Sequence, residues 1–446
     1  MTLAVDKPQS QPEPRRGRWI DEWHPEDPEF WARTGARIAR RNLIVSILSE
    51  HIGFSIWSLW SVFVLFLGPR YGLDPAQKFL LTSAPTLVGA VLRLPYTFAV
   101  ATFGGRNWTI FSALLLLVPT IFAGIILEPG VSFPVLLVAA SVAGVGGGNF
   151  ASSMANINAF YPQRLKGWAL GVNAGGGNIG VAAVQLVGLL VLATAGAAHP
   201  RLIVLIYLPL IVIAAALAAI YMDNLTHASN DRRAMRDVIK DGHAWIMSLL
   251  YIGTFGSFIG FGFAFGQVLQ VQFKADFDTP VKAAYLTFLG PLLGSLIRPV
   301  GGMLADRFGG ALITFWNFVA MALGAATVLL ASRLHSLPLF VTGFVFLFIF
   351  SGLGNGSTYK MIPAIFKAKF PADEREARRL ATALIGVAGA IGAAGGVLVN
   401  LAFRESFLTY KTGDGAYIAF IAFYALCFGV TWLVYLRRSP RKLAGV

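Results

Sequence analysis

LVGAVLRLPYTFAVATFGG, residues 87–105, sets one guanidinium, Arg93, inside an otherwise apolar run that ends on a glycine pair. The run has a counterpart later in the chain. LLTSAPTLVGAVLRLPYTFAVATFGG (80–105) and YLTFLGPLLGSLIRPVGGMLADRFGG (285–310) share Thr82/Thr287, Gly89/Gly294, Arg93/Arg298 and the Phe-Gly-Gly ending, all displaced by 205 residues. In each run the special residues fall every three or four positions, on one helical stripe. Such a stripe of small and polar residues turns away from lipid in a membrane helix. Each arginine lies ten residues before its glycine turn, about 15 Å of helix, so both guanidiniums are expected at matching depth near mid-membrane.

The surrounding chain agrees with a membrane setting. Of 446 residues, 56% are hydrophobic and only 13% charged, about half the charge of an ordinary soluble domain. Twelve apolar stretches near the ~20-residue bilayer length are read at 43–68, 78–103, 107–127, 133–160, 166–192, 201–222, 244–272, 282–307, 311–332, 336–362, 378–403 and 416–437. The fold class is therefore all-α and membrane-spanning, in two pseudo-symmetric six-helix bundles. The domain division is a segment 1–42, a bundle 43–222, a connector 223–243, a bundle 244–437 and a tail 438–446.

The net charge of +14 does not require nucleic acid. Lys and Arg outside the spans favour the side of the N-terminus by about three to one, which puts both termini in the cytoplasm. The polar N-terminus lacks the apolar core of a cleavable leader. Up to about residue 26 it reads as disordered, and PEFWARTGARIARR (28–41) reads as an amphipathic helix with Phe30, Trp31 and Ile38 toward lipid. The single cysteine, Cys427, sits in an apolar run and excludes disulfides. Six scattered histidines, no paired carboxylates and no ligand spacing argue against an enzyme, a metal or a cofactor.

A central arginine costs about 2.5–3.5 kcal/mol even on translocon scales, so two of them need compensation. Glu50 in the first span and Asp306 at the glycine turn of the eighth are the only clear acids at hand. Asp306, eight residues beyond Arg298, is too far along the helix to pair with it. At least one cation is thus expected without a fixed partner, and a small flat oxyanion suits the planar fork of arginine. The glycines of GVGGGN and NAGGGN, in a segment with ten glycines between Gly144 and Gly180, read chiefly as close helix contacts. Among the amides with them (Asn149, Asn156, Asn173, Asn178), one or two are candidates for touching a polar substrate.

GVGGGNFASSMANINAFYPQRLKGWALGVNAGGGNIG (144–180) resembles the first signature of the nitrate/nitrite porter family of the major facilitator superfamily. SGLGNGSTYKMIPAIF (351–366) resembles its second, and the likeness extends from HPEDPEFW through FGGRNW and LADRFGG to the last span. The resemblance implies a fold of that superfamily, no cofactor, a monomer in the bacterial inner membrane, and transport of nitrate and nitrite. It places the anion clamp on Arg93 and Arg298, flanking aromatics on Phe150, Tyr251 and Phe255, and a polar contact on Asn178. It also implies a gate-steadying role for Asp306 and Arg307. Glu50, His51 and Lys360 depart from the family pattern. The first two are candidates for a proton relay, while Lys360 either reaches the cytoplasmic face or bridges to Glu50. Exchange of nitrate for nitrite is the expected mode. Proton-coupled symport through Glu50 and His51, and transport of another small anion such as a carboxylate or phosphate, stand as alternatives.

Overall fold

The computed structural model describes residues 17–227, 231–277 and 279–437. Among these, twelve helices are long and apolar enough to cross a membrane. They run Pro28–Phe66, Pro75–Phe103, Gly105–Ile126, Phe133–Phe160, Gln163–Thr194, Arg201–Tyr221, Gly242–Gln272, Pro280–Phe308, Gly310–Arg333, Leu337–Lys369, Glu374–Tyr410 and Asp414–Leu436, called here the first to twelfth spans. The short helix Arg232–Val238 lies in the connector between the sixth and seventh.

The second span shows how local chemistry sets a boundary. Asp74 caps it by accepting from the Gln77 backbone at 2.7 Å, and the Gln77 side chain accepts from the Asp74 backbone at 3.1 Å. Pro75 takes the first helical position, where no N–H is needed. At the far end Gly104 has φ +85°, and its repeat mate Gly309 at the end of the eighth span has φ +92°. Both turns of the repeated Phe-Gly-Gly thus use a backbone conformation that glycine takes without a Cβ penalty.

The glycine pattern resolves into a symmetric pair of crossings. A Cβ on Gly147 would lie 2.8 Å from the Gly89 Cα, so the second and fourth spans touch backbone to backbone. Their repeat mates do the same, because a Cβ on Gly352 would lie 2.0 Å from the Gly294 carbonyl oxygen. The neighbouring Gly301 would meet the Leu353 carbonyl at 1.9 Å. Close approach of this kind is what holds apolar helices together where no hydrophobic difference from lipid exists. Gly352→Ala is therefore expected to destabilise the protein by about 3 kcal/mol or to prevent folding, because backbone must move. Gly171→Ala, with nothing within 4 Å of the added carbon, should leave the thermal midpoint in detergent unchanged or slightly higher.

The N-terminal region departs from its sequence reading. Residues 1–16 lie outside the described residues, but from residue 17 onward the segment is ordered against the protein. Trp19–Ile20 pairs in parallel with Asn224–Leu225 at the start of the connector. Arg18 donates to Asp223 at 2.8 Å, and Trp23 packs edge-on against both Phe30 and Phe160. Trp31 and Ile38 are consequently buried in a cluster with Ile157, Phe160, Tyr161 and Ala169, not turned to lipid. Their apolar face packs on the end of the fourth span and the start of the fifth, and Ile20 and Trp23 of the folded-back segment join the same cluster. The helix that carries the first span accordingly begins at Pro28, ahead of the apolar run that starts at 43.

Candidate functional site

Arg93 and Arg298 are both buried in the interior, each just ahead of a proline in its helix (Pro95 and Pro299). Neither forms an ion pair with a described residue. Arg93 donates from Nη1 to the Gly389 carbonyl at 2.8 Å and from Nε to the Gly147 carbonyl at 3.3 Å. Arg298 donates from Nη2 to the Tyr251 hydroxyl at 3.2 Å. One donor nitrogen on each side chain, Nη2 of Arg93 and Nη1 of Arg298, is buried without a hydrogen-bond partner among the described residues. A buried charged donor left unmade carries a large desolvation cost, so these two nitrogens are candidates for holding an anion's acceptor oxygens.

Aromatic rings fill the space between the two cations. The guanidinium carbon of Arg93 lies 4.4 Å from the Phe150 ring centre, 4.8 Å from Phe255 and 5.5 Å from Trp57. Phe150 and Phe255 stack at 6.1 Å, and Phe255 stacks on Tyr251 at 5.3 Å with only 17° between planes. Tyr251 tilts against Tyr359 at 5.7 Å, and Tyr359 lies 5.7 Å from the Arg298 guanidinium carbon. The stack Tyr251–Phe255 straddles a π-helical turn at Ile252–Gly256, a local widening that is frequent where helices carry function. These quadrupolar faces compensate part of the charge without neutralising it.

A cavity of about 330 Å³ leads from Arg93, Phe150 and Tyr359 toward the connector, where Asp231 and Arg379 line its mouth. Arg298 stands behind Tyr251 and Tyr359 instead of on the cavity wall. At the mouth Arg379 ties the eleventh span to the connector, donating to Asp231 and, at 2.8 Å, to Asp237. The guanidinium holds the Asp231 carboxyl down at about 2, so this clasp stays charged through neutral pH. On the opposite side the halves are shut. Phe79 stacks on Phe403 at 5.8 Å and on Phe407 at 5.6 Å, and Thr82 donates to the Asn400 side chain at 2.7 Å.

The residues singled out from sequence divide in three. Arg93, Arg298, Phe150, Tyr251 and Phe255 come together in one cluster. Asn178 is buried, with its Oδ1 unpartnered among the described residues, but it does not line the cavity that Arg93 lines. Asn173 serves Glu50 instead, donating to its Oε2 at 2.7 Å, and Ser153 donates to the same oxygen. Glu50 is fully buried and its Oε1 has no hydrogen-bond partner among the described residues. His51 is half-buried, with Nδ1 3.3 Å from the Gly176 carbonyl. The bridge from Lys360 to Glu50 does not form, because Lys360 reaches the exposed rim and donates to Asp306 at 2.9 Å. Arg307 lies over the Phe308 ring at 5.0 Å.

Sequence reasoning passed over Tyr359, Trp57 and the carbonyls of Gly147 and Gly389. Tyr359 stood next to the more conspicuous Lys360, and a carbonyl acceptor leaves no residue-type signal at all.

Residues 45–397 match the Major Facilitator Superfamily. The nitrate/nitrite transporter NarU of Salmonella typhimurium (strain LT2) is 38% identical, covering 95% of this chain and 97% of its own. The probable nitrate/nitrite antiporter NarK2 of Thermus thermophilus is 34% identical over 96% of this chain and 98% of its own. In fold the molecule is similar to the crystal structure of a D-xylose-proton symporter, with a TM-score of 0.67 at 15% identity over 88% of this chain and 97% of that one. With a central cleft between two repeated halves and relatives that match it from end to end, the chain belongs to the Major Facilitator Superfamily and, within it, to the nitrate/nitrite transporters.

Proposed function

We propose that this transporter carries nitrate and nitrite across the bacterial inner membrane by alternating access, exchanging one anion for the other, with both termini in the cytoplasm. The observation that carries the reading is the pair of buried guanidinium nitrogens, one from each repeat, that have no hydrogen-bond partner among the described residues and lie among aromatic faces. A planar oxyanion supplies in-plane acceptors for both forks and a flat face for Phe150 and Phe255. Tyr251, already bonded to Arg298, presents its hydroxyl beside the anion. Asn178, buried in the fifth span, is the further polar contact of this reading. Asp306 and Arg307 steady the rim, with Lys360 now part of that arrangement.

The nearer relatives named for nitrate and nitrite transport favour these two anions over a carboxylate or phosphate. A tetrahedral or bulky anion would have to displace the ring stack around Arg93. In proteoliposomes loaded with nitrite, uptake of labelled nitrate should saturate. Unlabelled nitrite should compete within about tenfold of nitrate, while sulfate, phosphate and succinate should not. Competition by phosphate or succinate at similar concentration would overturn the assignment.

One observation supports a second reading, proton-coupled symport. Glu50 is a fully buried carboxyl with an unpartnered oxygen, a place where a proton can be taken up.

A further inference from the structure

A second arginine cluster lies well away from the central site, at the N-terminal side of the first span. Arg37, Arg40, Arg41, Ile44 and Leu48 are spaced by three, one, three and four residues, which aligns them on one helical stripe. The stripe forms one wall of a cavity of about 560 Å³ whose other wall is Leu217 and Tyr221 on the sixth span. The cavity therefore has a cationic end and an apolar floor. Ile44 is 50% exposed, Leu48 41% and Tyr221 45%, although all three sit on membrane-crossing helices. Such exposure faces acyl chains, and a tyrosine at a helix end is placed for the headgroup level.

Among the described residues the charge is only partly balanced. One buried carboxylate, Asp223, serves two arginines, Arg41 at 2.5 Å and Arg18 at 2.8 Å, and also accepts from Asn42 at 2.9 Å. The Nε of Arg41 is buried without a partner among the described residues. Arg37 and Arg40 form no ion pair with a described residue. Glu29, one helical stretch earlier, is paired with Arg33 at 3.2 Å. By contrast, Arg379 meets Asp231, Asp237 and Glu376, and Lys369 meets Asp241. The surplus at the first span is local, oriented along one groove, and open to the bilayer.

We propose that this groove binds one anionic diacyl phospholipid, with its phosphodiester between Arg37 and Arg40 and beside Arg41. One acyl chain then lies along Ile44, Leu48 and Leu217. Guanidinium forks suit phosphate oxygens, and basic pockets between spans at this membrane face are a recognised setting for anionic headgroups. A soluble anion would satisfy the arginines but leave the apolar floor uncovered. A neutral phospholipid would cover the floor while adding its own cation to three others. Held there, the lipid braces the first span against the sixth beside the tie between Arg41 and Asp223.

The test uses the full-length protein in nanodiscs of phosphatidylcholine, with or without about a quarter phosphatidylglycerol. Native mass spectrometry after partial delipidation should find one phosphatidylglycerol retained per chain and no retained phosphatidylcholine. The thermal midpoint should be higher in the mixed discs. The double variant Arg37→Gln with Arg40→Gln should lose retention by about tenfold and lose the stabilisation. Arg236→Gln, an equally exposed arginine on the connector helix, should change neither. Glycerol phosphate added to phosphatidylcholine discs should not reproduce the shift. Equal retention in the double variant, equal retention of phosphatidylcholine, or the same shift from glycerol phosphate would each overturn the proposal. Should the glutamine variant fail to fold, Arg37→Lys with Arg40→Lys keeps the charge and should retain the lipid. The comparison of headgroups on the unaltered protein decides the matter independently.

Discussion

Arg93→Lys and Arg298→Lys should each weaken nitrate binding by on the order of a hundredfold or more while leaving a folded protein. The substitution keeps the positive charge, so a site that worked by charge alone would survive it. What it removes is the fork. Arg93 uses Nη1 and Nε to grip the carbonyls of Gly389 and Gly147, which fixes the plane of the guanidinium and aims Nη2 into the site. An ammonium has one nitrogen for all of these tasks and no planar face to lie against Phe150 and Phe255. Losing one charge-assisted hydrogen bond in a dry site costs about 1.5–3 kcal/mol, and misplacing the remaining charge adds to it, which is how the loss reaches a hundredfold. Binding is measured on purified protein by calorimetry, with the thermal midpoint as the check on folding. Lys360→Gln provides the contrast. Its ammonium is engaged with Asp306 at the exposed rim, so nitrate affinity should move by less than about twofold. Lysine variants that bind nitrate as the unaltered protein does would remove the central claim.

How much of this was legible beforehand depends on the kind of interaction. The twelve spans, the two halves and the arginine pair were readable because each leaves a residue-type signature: an apolar run, a 205-residue displacement, a charge where hydrocarbon was expected. The glycine crossings were readable in kind, although their symmetric partners, Gly89 with Gly147 and Gly294 with Gly352, emerge only in three dimensions. The N-terminal strap was misread because its polar composition resembles a disordered segment. Its order comes from few contacts that no local pattern encodes: a two-residue strand pair, Arg18 on Asp223, and Trp23 between two rings. Lys360 and Glu50 look alike in sequence, as charges inside spans. Depth along the helix decided otherwise, since a long flexible side chain near the rim reaches Asp306 and water. Tyr359 shows the converse limit, an aromatic in an aromatic-rich chain that matters only for what it lies beside.

Vesicles loaded with nitrite should take up labelled nitrate at least about tenfold faster than empty vesicles, and an inward proton gradient should add little. The reason lies in what must move. In the empty site neither cation has a direct ion pair with a described carboxylate, only the more distant field of Glu50, and closing the second side would enclose both in a medium of low dielectric. With the anion bound, the Nη2 of Arg93 and the Nη1 of Arg298 gain acceptors, and the loaded halves can rock. Glu50 decides between exchange and symport. If its carboxyl is only a packing element, Glu50→Gln preserves the shape, the Ser153 hydroxyl can rotate and the Asn173 amide can turn to suit the new side chain. Nitrite–nitrate exchange should then stay within about twofold of the unaltered protein. If Glu50 instead carries a proton, empty vesicles should accumulate nitrate under an inward proton gradient. Glu50→Gln should then abolish that accumulation while nitrate binding persists, because both arginines are held by Gly389, Gly147 and Tyr251 and not by Glu50. The two sets of outcomes do not overlap. Gradient-driven uptake into empty vesicles that Glu50→Gln removes would replace exchange with symport, yet leave the paired arginines as the anion site.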